Sequence, residues 1–295
     1  MKKIALLSDI HGNRAALSAC IEKLRRERIT ELIFLGDYVG YFPYPERAMD
    51  MIYDIAQSRE FSCRFIRGNG DEYHIAHRAA FRSSGEHAWP YGDIASGTLR
   101  YTYEHLRDKD IDFFESLDTT GKYAEDGVEV FEYCHGSPTS TKQKLFPGSQ
   151  ATDEILDGLS SDVLFCAHIH RPGVYRRNGK RLVNVGAVGM AWDAGASATF
   201  AVAETDGGRV RDIELVYVDY DKAPVLEEFR ESGLAEVGRA DARMNMFQFV
   251  HGYDIWGECM ERAAKLYEEE NGTPHNGGTP PESYVERALD EITKE

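Results

Sequence analysis

Asp9-Ile10-His11, Gly36-Asp37, Gly68-Asn69, His135-Gly136 and His168-Ile169-His170 are five short groups of residues able to do chemistry together. Each stands where an apolar, strand-like run stops: "KIALLSD" (3–9), "ELIFLGD" (31–37), "CRFIRGN" (63–69), "VEVFEYCHG" (128–136) and "DVLFCAHIH" (162–170). In open α/β sheets ligands gather beyond the carboxyl ends of the strands, so residues far apart in sequence can converge there. Two Asp, one Asn and four His form an oxygen- and nitrogen-rich set suited to Mn, Fe, Zn or Ni. Taken singly, each piece is ordinary: Asn69 between glycines reads as a turn, and a lone strand histidine is more often core or surface than ligand. The ordered set, each member at a strand end, points to a metal centre. Gly36, Gly68 and Gly136 are expected to let the backbone approach the ions.

The elements that must position these residues follow from hydrophobic periodicity. A helix is predicted from Asn13 to about Arg28, with Ala16, Leu17, Cys20, Ile21 and Leu24 on one face. A second opens near Pro45, a third near Asp71, and two more are predicted near 91–107 and 109–117. After residue 128 the pattern is mostly strands. Helices and strands alternate in the first half and strands dominate the second, which predicts two packed sheets with helices outside. The texture turns helical and acidic near Asp221, and a turn-rich linker, expected to be mobile, covers 271–281. The division expected is therefore a catalytic domain over 1–220 and an accessory helical region over 221–295.

Composition narrows the function classes. A net charge of −16 argues against a broad nucleic-acid-binding surface, which needs a positive footprint, but not against a small phosphorylated ligand held by metal ions. Cys20, Cys63, Cys134, Cys166 and Cys259 contain no CxxC pair, and Cys63, Cys134 and Cys166, in apolar strand-like runs, read as buried thiols of a reducing compartment. The start "MKKIALLSDIHG" has too short an apolar run for a signal peptide, and no run is long enough to span a bilayer. A cytoplasmic location without membrane attachment is expected, with homo-oligomerisation left open.

The set "SDIHGN", "FLGDYVG", "RGNGDE", "CHGSP" and "AHIHRP" resembles the calcineurin-like metallophosphoesterase superfamily, in its small YfcE-like bacterial and archaeal branch. "NVGAVG" (184–189) is similar to the "NPGSVG" turn of that branch; Ala167 and Val185 depart from its commoner residues. The resemblance covers roughly residues 1–220. It implies a four-layer αββα sandwich and two divalent ions, manganese or iron favoured. Carried over residue by residue, Asp9, His11 and His170 would hold one ion, and Asn69, His135 and His168 the other. Asp37 would bridge them, with Asp37, Asn69 and His135 the expected catalytic residues. A metal-bridging hydroxide would attack phosphorus. There is no GxSxG to suggest a covalent serine route. Gly136, Ser137, Lys142 and Arg171 are candidate outer phosphate contacts.

Many larger relatives carry His directly after the metal-binding Asn, where it protonates the leaving group. Gly70 stands there in this chain, as is common in the small branch, and His74 and His77 are candidate replacements. The function expected is hydrolysis of phosphodiester or nucleotide anhydride bonds, dinucleoside polyphosphates among them. A protein Ser/Thr phosphatase and a non-catalytic interaction module are the alternatives, the last disfavoured by the complete ligand set. Tyr73, Phe81, Trp89, Tyr91, Tyr101 and Tyr103 lie in the 72–118 insertion and could stack a nucleobase or form core, which favours a nucleotide-like substrate.

Overall fold

Residues 4–7 carry no polar side chain, and in the computed structural model they are the buried centre of strand β1 (Lys2–Leu7). Alternate side chains serve different cores, because successive Cβ atoms point to opposite faces. Ala5 and Leu7 pack towards helices, whereas Ile4 and Leu6 pack towards a second sheet. The structure describes residues 1–89, 96–195, 197–275 and 277–294.

The first sheet has the order β10-β9-β1-β2-β3, with β2 (Glu31–Phe34) and β3 (Ser62–Phe65) parallel to β1. Strands β9 (Ala198–Asp206) and β10 (Arg209–Val218) return antiparallel at its other side. The second sheet has the order β4-β5-β6-β8-β7. Its parallel centre is β5 (Val128–Cys134), β6 (Val163–Cys166) and β8 (Lys180–Asn184); β4 (Thr120–Glu125) and β7 (Gly173–Arg177) are antiparallel edges. Helices α1 (Arg14–Glu27) and α2 (Pro45–Gln57) cover the outer face of the first sheet. Helix α6 (Gln150–Gly158) covers the outer face of the second through Leu156. Phe131, Phe165 and Tyr123 fill the space between the sheets. The expected αββα sandwich is the fold observed.

Helix α3 (Asn69–Ser84) begins at the ligand candidate Asn69, two residues before the predicted start. Helices α4 (Gly97–His105) and α5 (Asp108–Ser116) follow; residues 90–95 of the predicted 91–107 helix lie outside the described residues. Strand β4 and helix α6 went unpredicted. "TGKYAE" is a short edge strand with a glycine and one fully buried aromatic, Tyr123, and α6 starts on a Ser149 cap rather than a long apolar pattern.

Four helices end the chain: α7 (Ala223–Glu231), α8 (Leu234–His251), α9 (Trp256–Asn271) and α10 (Glu282–Ile292). They share a small core of their own, including Met244, Leu266 and Leu289. A second cluster joins Phe229, Leu234 and Phe249 to Phe42, Met190 and Trp192 beside the strand ends. Among the described residues no helix is long and apolar enough to cross a membrane.

Candidate metal centre

The loops after β1 and β2 are tied by backbone hydrogen bonds from Asp9 N to Gly36 O (3.0 Å) and from His11 N to Asp37 O (2.9 Å). Gly36 adopts φ +97°, and a Cβ there would overlap Gly68 N. The glycines at 36, 68 and 136 make room for neighbouring protein atoms. They let strand ends touch: Gly68 abuts Asp37, and Gly136 packs against the backbone of Thr141.

This contact gathers all the predicted ligands. His170 Nε2 lies 3.1 Å from Asp9 Oδ1 and 3.1 Å from His11 Nε2. His135 Nε2 lies 3.0 Å from Asn69 Oδ1 and 3.5 Å from Asp37 Oδ2. His168 joins through its backbone N–H, which donates to Asp9 Oδ2 at 3.2 Å, and its ring, centred 5.2 Å from that of His135. Two ligand triads have metal-compatible spacing: Asp9, His11 and His170, and Asp9, Asp37 and His135. Asp9 belongs to both, while Asp37 Oδ2 stands 3.8 Å from His11 Nε2 and 3.5 Å from His135 Nε2. Both carboxylates thus lie between the two groups of histidines.

Hydrogen bonding sets the tautomers. Carbonyl oxygens accept from the Nδ1 atoms of His135 (Leu35 O, 2.9 Å) and His170 (Met190 O, 2.7 Å). Their Nε2 lone pairs then face other acceptors: Asn69 Oδ1 in one case, Asp9 Oδ1 in the other. Asp9 Oδ1 is buried with no hydrogen-bond partner. A pocket of mutually facing acceptors is unfavourable unless a cation lies among them, so the donor set fits metal ions. His168 Nε2 lies 3.2 Å from Lys142 O, which leaves its Nδ1 as the atom with a free lone pair.

The backbone carries a mark that composition hides. Asp9, His11, Asp37, His168 and His170 all have φ between +51° and +68°. Left-handed geometry costs a non-glycine residue roughly 1–2 kcal/mol, and such strain persists where surrounding structure over-determines it, typically at functional sites.

Charge is tuned by the same packing. Burial alone would push the Asp9 carboxyl up, but without ions the protonated rings of His170 and His135 hold it well below the usual range. His135 is opposed by burial and raised by Asp37 and Asp9. His168 is pushed down to about 4 by burial and by His135. Asp71 was missed as a positioning residue, although "GNGD" held the signal. Fully buried, its carboxylate accepts from the N–H groups of Asp37 (2.9 Å), Tyr38 (3.2 Å) and Gly68 (2.8 Å). Burial and Asp37 push it up to about 8.

The strand ends open into a cavity of about 490 Å³. Lys142 and Arg171 line it as expected, joined by Lys144, whereas Gly136 and Ser137 do not. Of the five described insertion aromatics only Tyr73 lines it. Tyr101 is core, Tyr91 lies outside the described residues, and Trp89, Tyr103 and Phe81 form a nest around His77 and His87. Its flat surfaces come instead from Tyr41, stacked on His11 at 4.1 Å, from Trp192, stacked on His170 at 5.4 Å, and from Trp256.

His74 and His77 do not line the cavity. His74 is fully buried, neither ring nitrogen is bonded, and burial pushes it down to about 3. The unfolded chain takes up that proton near pH 6.5 while the folded chain does not. The stability this provides is complete above pH 6.5 and is lost as pH falls towards 3. His74→Phe should flatten the decline by up to roughly 1.4 kcal/mol per pH unit, measured by denaturant titrations at pH 7, 6 and 5. Equal slopes in the two proteins would refute it.

A model of the calcineurin-like phosphoesterase superfamily domain matches residues 1–208. The chain belongs to the calcineurin-like phosphoesterase superfamily. The phosphoesterase is 26% identical over 250 residues to the uncharacterized protein MJ0912 of Methanocaldococcus jannaschii, spanning 79% of this chain and 94% of the relative. Hypothetical protein PH1004 of Pyrococcus horikoshii superposes with a TM-score of 0.68 at 23% identity, covering 83% of this chain and 98% of that one. A metallophosphoesterase from Sphaerobacter thermophilus gives 0.66 at 22% identity, covering 85% and 99%. These likenesses establish the fold, and the family makes the protein a metal-dependent hydrolase of phosphorylated substrates.

Proposed function

We propose that the phosphoesterase hydrolyses phosphodiester or nucleotide anhydride bonds at a dinuclear centre. Asp9, His11 and His170 would hold one ion, and Asn69, His135 and His168 the other, with Asp37 shared between them. Manganese and iron suit this donor set. Two ions held there would lower the pKa of a bound water and polarise the phosphate oxygens. The chain's own contribution is positioning. Gly70 N–H fixes Asp37 Oδ1 at 2.7 Å, Asp71 fixes the backbone around both, and Lys142, Lys144 and Arg171 face the cavity with positive charge. We assign this work to residues 1–220 and read 221–295 as an accessory region.

One observation carries the choice of substrate class. Among the described residues, every histidine lining the cavity is a proposed ligand, and Gly70 leaves the donor position beside Asn69 without a side chain. An alkyl monoester, whose alkoxide leaves poorly without a proton, is a poor substrate for such a site. Diesters with aryl leaving groups and phosphoanhydrides need that proton less. With metal ions restored, bis-p-nitrophenyl phosphate and diadenosine polyphosphates are expected to exceed alkyl monoesters and phosphopeptides in kcat/KM. A phosphopeptide as the best substrate of the panel would replace this reading with that of a protein phosphatase.

A further inference from the structure

The cavity has a wall beyond the reach of the family match at 1–208, and that wall carries two buried carboxamides with unused hydrogen-bonding atoms. Asn245 and Gln248 stand three residues apart on α8, on neighbouring parts of one helix face. They are 5% and 4% exposed, and both line the cavity. Asn245 Nδ2 donates to Asp241 Oδ1 at 3.2 Å, and Gln248 Oε1 accepts from Ile255 N–H at 2.9 Å. A carboxylate can only accept and a backbone N–H can only donate, so neither amide can be turned round. Asn245 Oδ1 and Gln248 Nε2 are left without a partner among the described residues. Neither atom is enclosed by protein, so both are open to the cavity where a substrate enters.

The wall is held firmly. Asp241 accepts from the backbone N–H and the hydroxyl of Thr98 at 3.2 and 2.5 Å. Helices α4 and α8 meet so closely that a Cβ on Gly97 would come within 2.9 Å of Gly238 Cα. Its charge is opposite to that of the phosphate side. Asp241 and Asp254 belong to this wall, whereas Lys142, Lys144 and Arg171 come from the loops after β5 and β6. An additional phosphate is disfavoured beside Asp241, while an uncharged group is admitted. Trp256, 38% exposed at the cavity, offers a flat apolar face.

We propose that Asn245 and Gln248 read the edge of a nucleobase, making the preferred substrate a nucleoside ester or anhydride. The Watson–Crick edge of every base presents a donor and an acceptor in one plane, which match Asn245 Oδ1 and Gln248 Nε2. Stacking on Trp256 would supply sequence-tolerant affinity. The inference rests on the phosphodiester or anhydride reading for the phosphate; the base site stands on its own contacts.

The test titrates the metal-loaded full-length protein with adenosine, guanosine, cytidine and uridine, followed by tryptophan fluorescence. At least one nucleoside should bind saturably. Gln248→Glu keeps an oxygen for Ile255 N–H but replaces the free donor with an acceptor, and should weaken binding about tenfold, the worth of roughly one buried hydrogen bond. Gln248→Met serves the same purpose should the Glu variant fail to fold. In parallel, the kcat/KM ratio of a nucleoside 5′-p-nitrophenyl phosphate over bis-p-nitrophenyl phosphate should fall by a similar factor. Absence of nucleoside binding to the wild type, or binding and ratio unmoved by the variants, overturns the base site while leaving the hydrolase reading intact. Nucleoside binding that the variants weaken, with no diester or anhydride cleaved, supports the base site and sinks the hydrolase reading.

Discussion

Asp9→Ala and Asp37→Ala are each expected to lower kcat/KM on bis-p-nitrophenyl phosphate by at least roughly 10³-fold, the effect of several kcal/mol of lost charge stabilisation. The two should differ in metal content. Asp9 Oδ1 is buried, unpartnered, and within 3.1 to 3.9 Å of the Nε2 atoms of His170, His11 and His135. Its removal should cost the ion held with His11 and His170, whereas removing Asp37, the carboxylate proposed to be shared, should cost both. Asp37 also organises backbone, through Gly70 N–H on its Oδ1, so Asp37→Ala should disturb the start of α3 as well. Asp37→Asn keeps that acceptor and removes the charge, separating the two roles. Metal analysis after reconstitution, alongside kinetics, decides the matter. Two ions per chain in Asp9→Ala with activity near that of the wild type would refute the assignment of these residues to the centre.

The strand ends were legible in sequence because strands buried on both faces leave few places for polar residues. In "KIALLSD" the first ionisable place after the strand is Asp9, and "ELIFLGD" ends the same way at Asp37. Parallel neighbours β1, β2 and β3 then bring their ends to one side of the sheet, so chain order alone juxtaposes Asp9, Asp37 and Asn69. The left-handed backbone at five of the ligands left no trace in composition: Asp and His tolerate it better than most side chains, but tertiary contacts select where they adopt it. His74 and His77 misled for the opposite reason. Their helical spacing from Gly70 is right, but α3 turns them into the aromatic nest and not the cavity. The carboxamide wall was illegible because Asp241, Asn245 and Gln248 on an amphipathic helix look like any solvated face. The close crossing of α4 over α8 at Gly97 and Gly238, and the turn to α9 at Ile255, are tertiary contacts that leave no mark on that face.

Gly70→Ala should lower kcat/KM on bis-p-nitrophenyl phosphate by roughly tenfold, and Gly70→His should improve on Gly70→Ala for alkyl esters. The constraint at this position is steric. Gly70 sits in the first turn of α3 without a positive φ, so a side chain there meets no penalty from a left-handed backbone. A Cβ would, however, lie 3.1 Å from Asp37 Oδ1 and 3.2 Å from its Cγ, tight enough to displace the carboxylate by a few tenths of an ångström. A misplacement of about 1 Å costs about 10²-fold in well-positioned sites, which sets the tenfold figure for a smaller shift. The imidazole in Gly70→His carries the same displacement but adds a proton donor beside Asn69. General acid help is worth about 10²–10⁴-fold when fully supported; a grafted histidine with no partner to orient it should recover roughly tenfold. The comparison therefore runs between Ala and His, on an alkyl and a p-nitrophenyl ester, with metal content equal in both variants. A gain for His confined to the alkyl ester identifies Gly70 as the position of a missing general acid. No gain over Ala on the alkyl ester, with both ions retained, would place proton delivery elsewhere. His74 and His77 do not line the cavity, so the donor would then be water or a cavity-lining lysine.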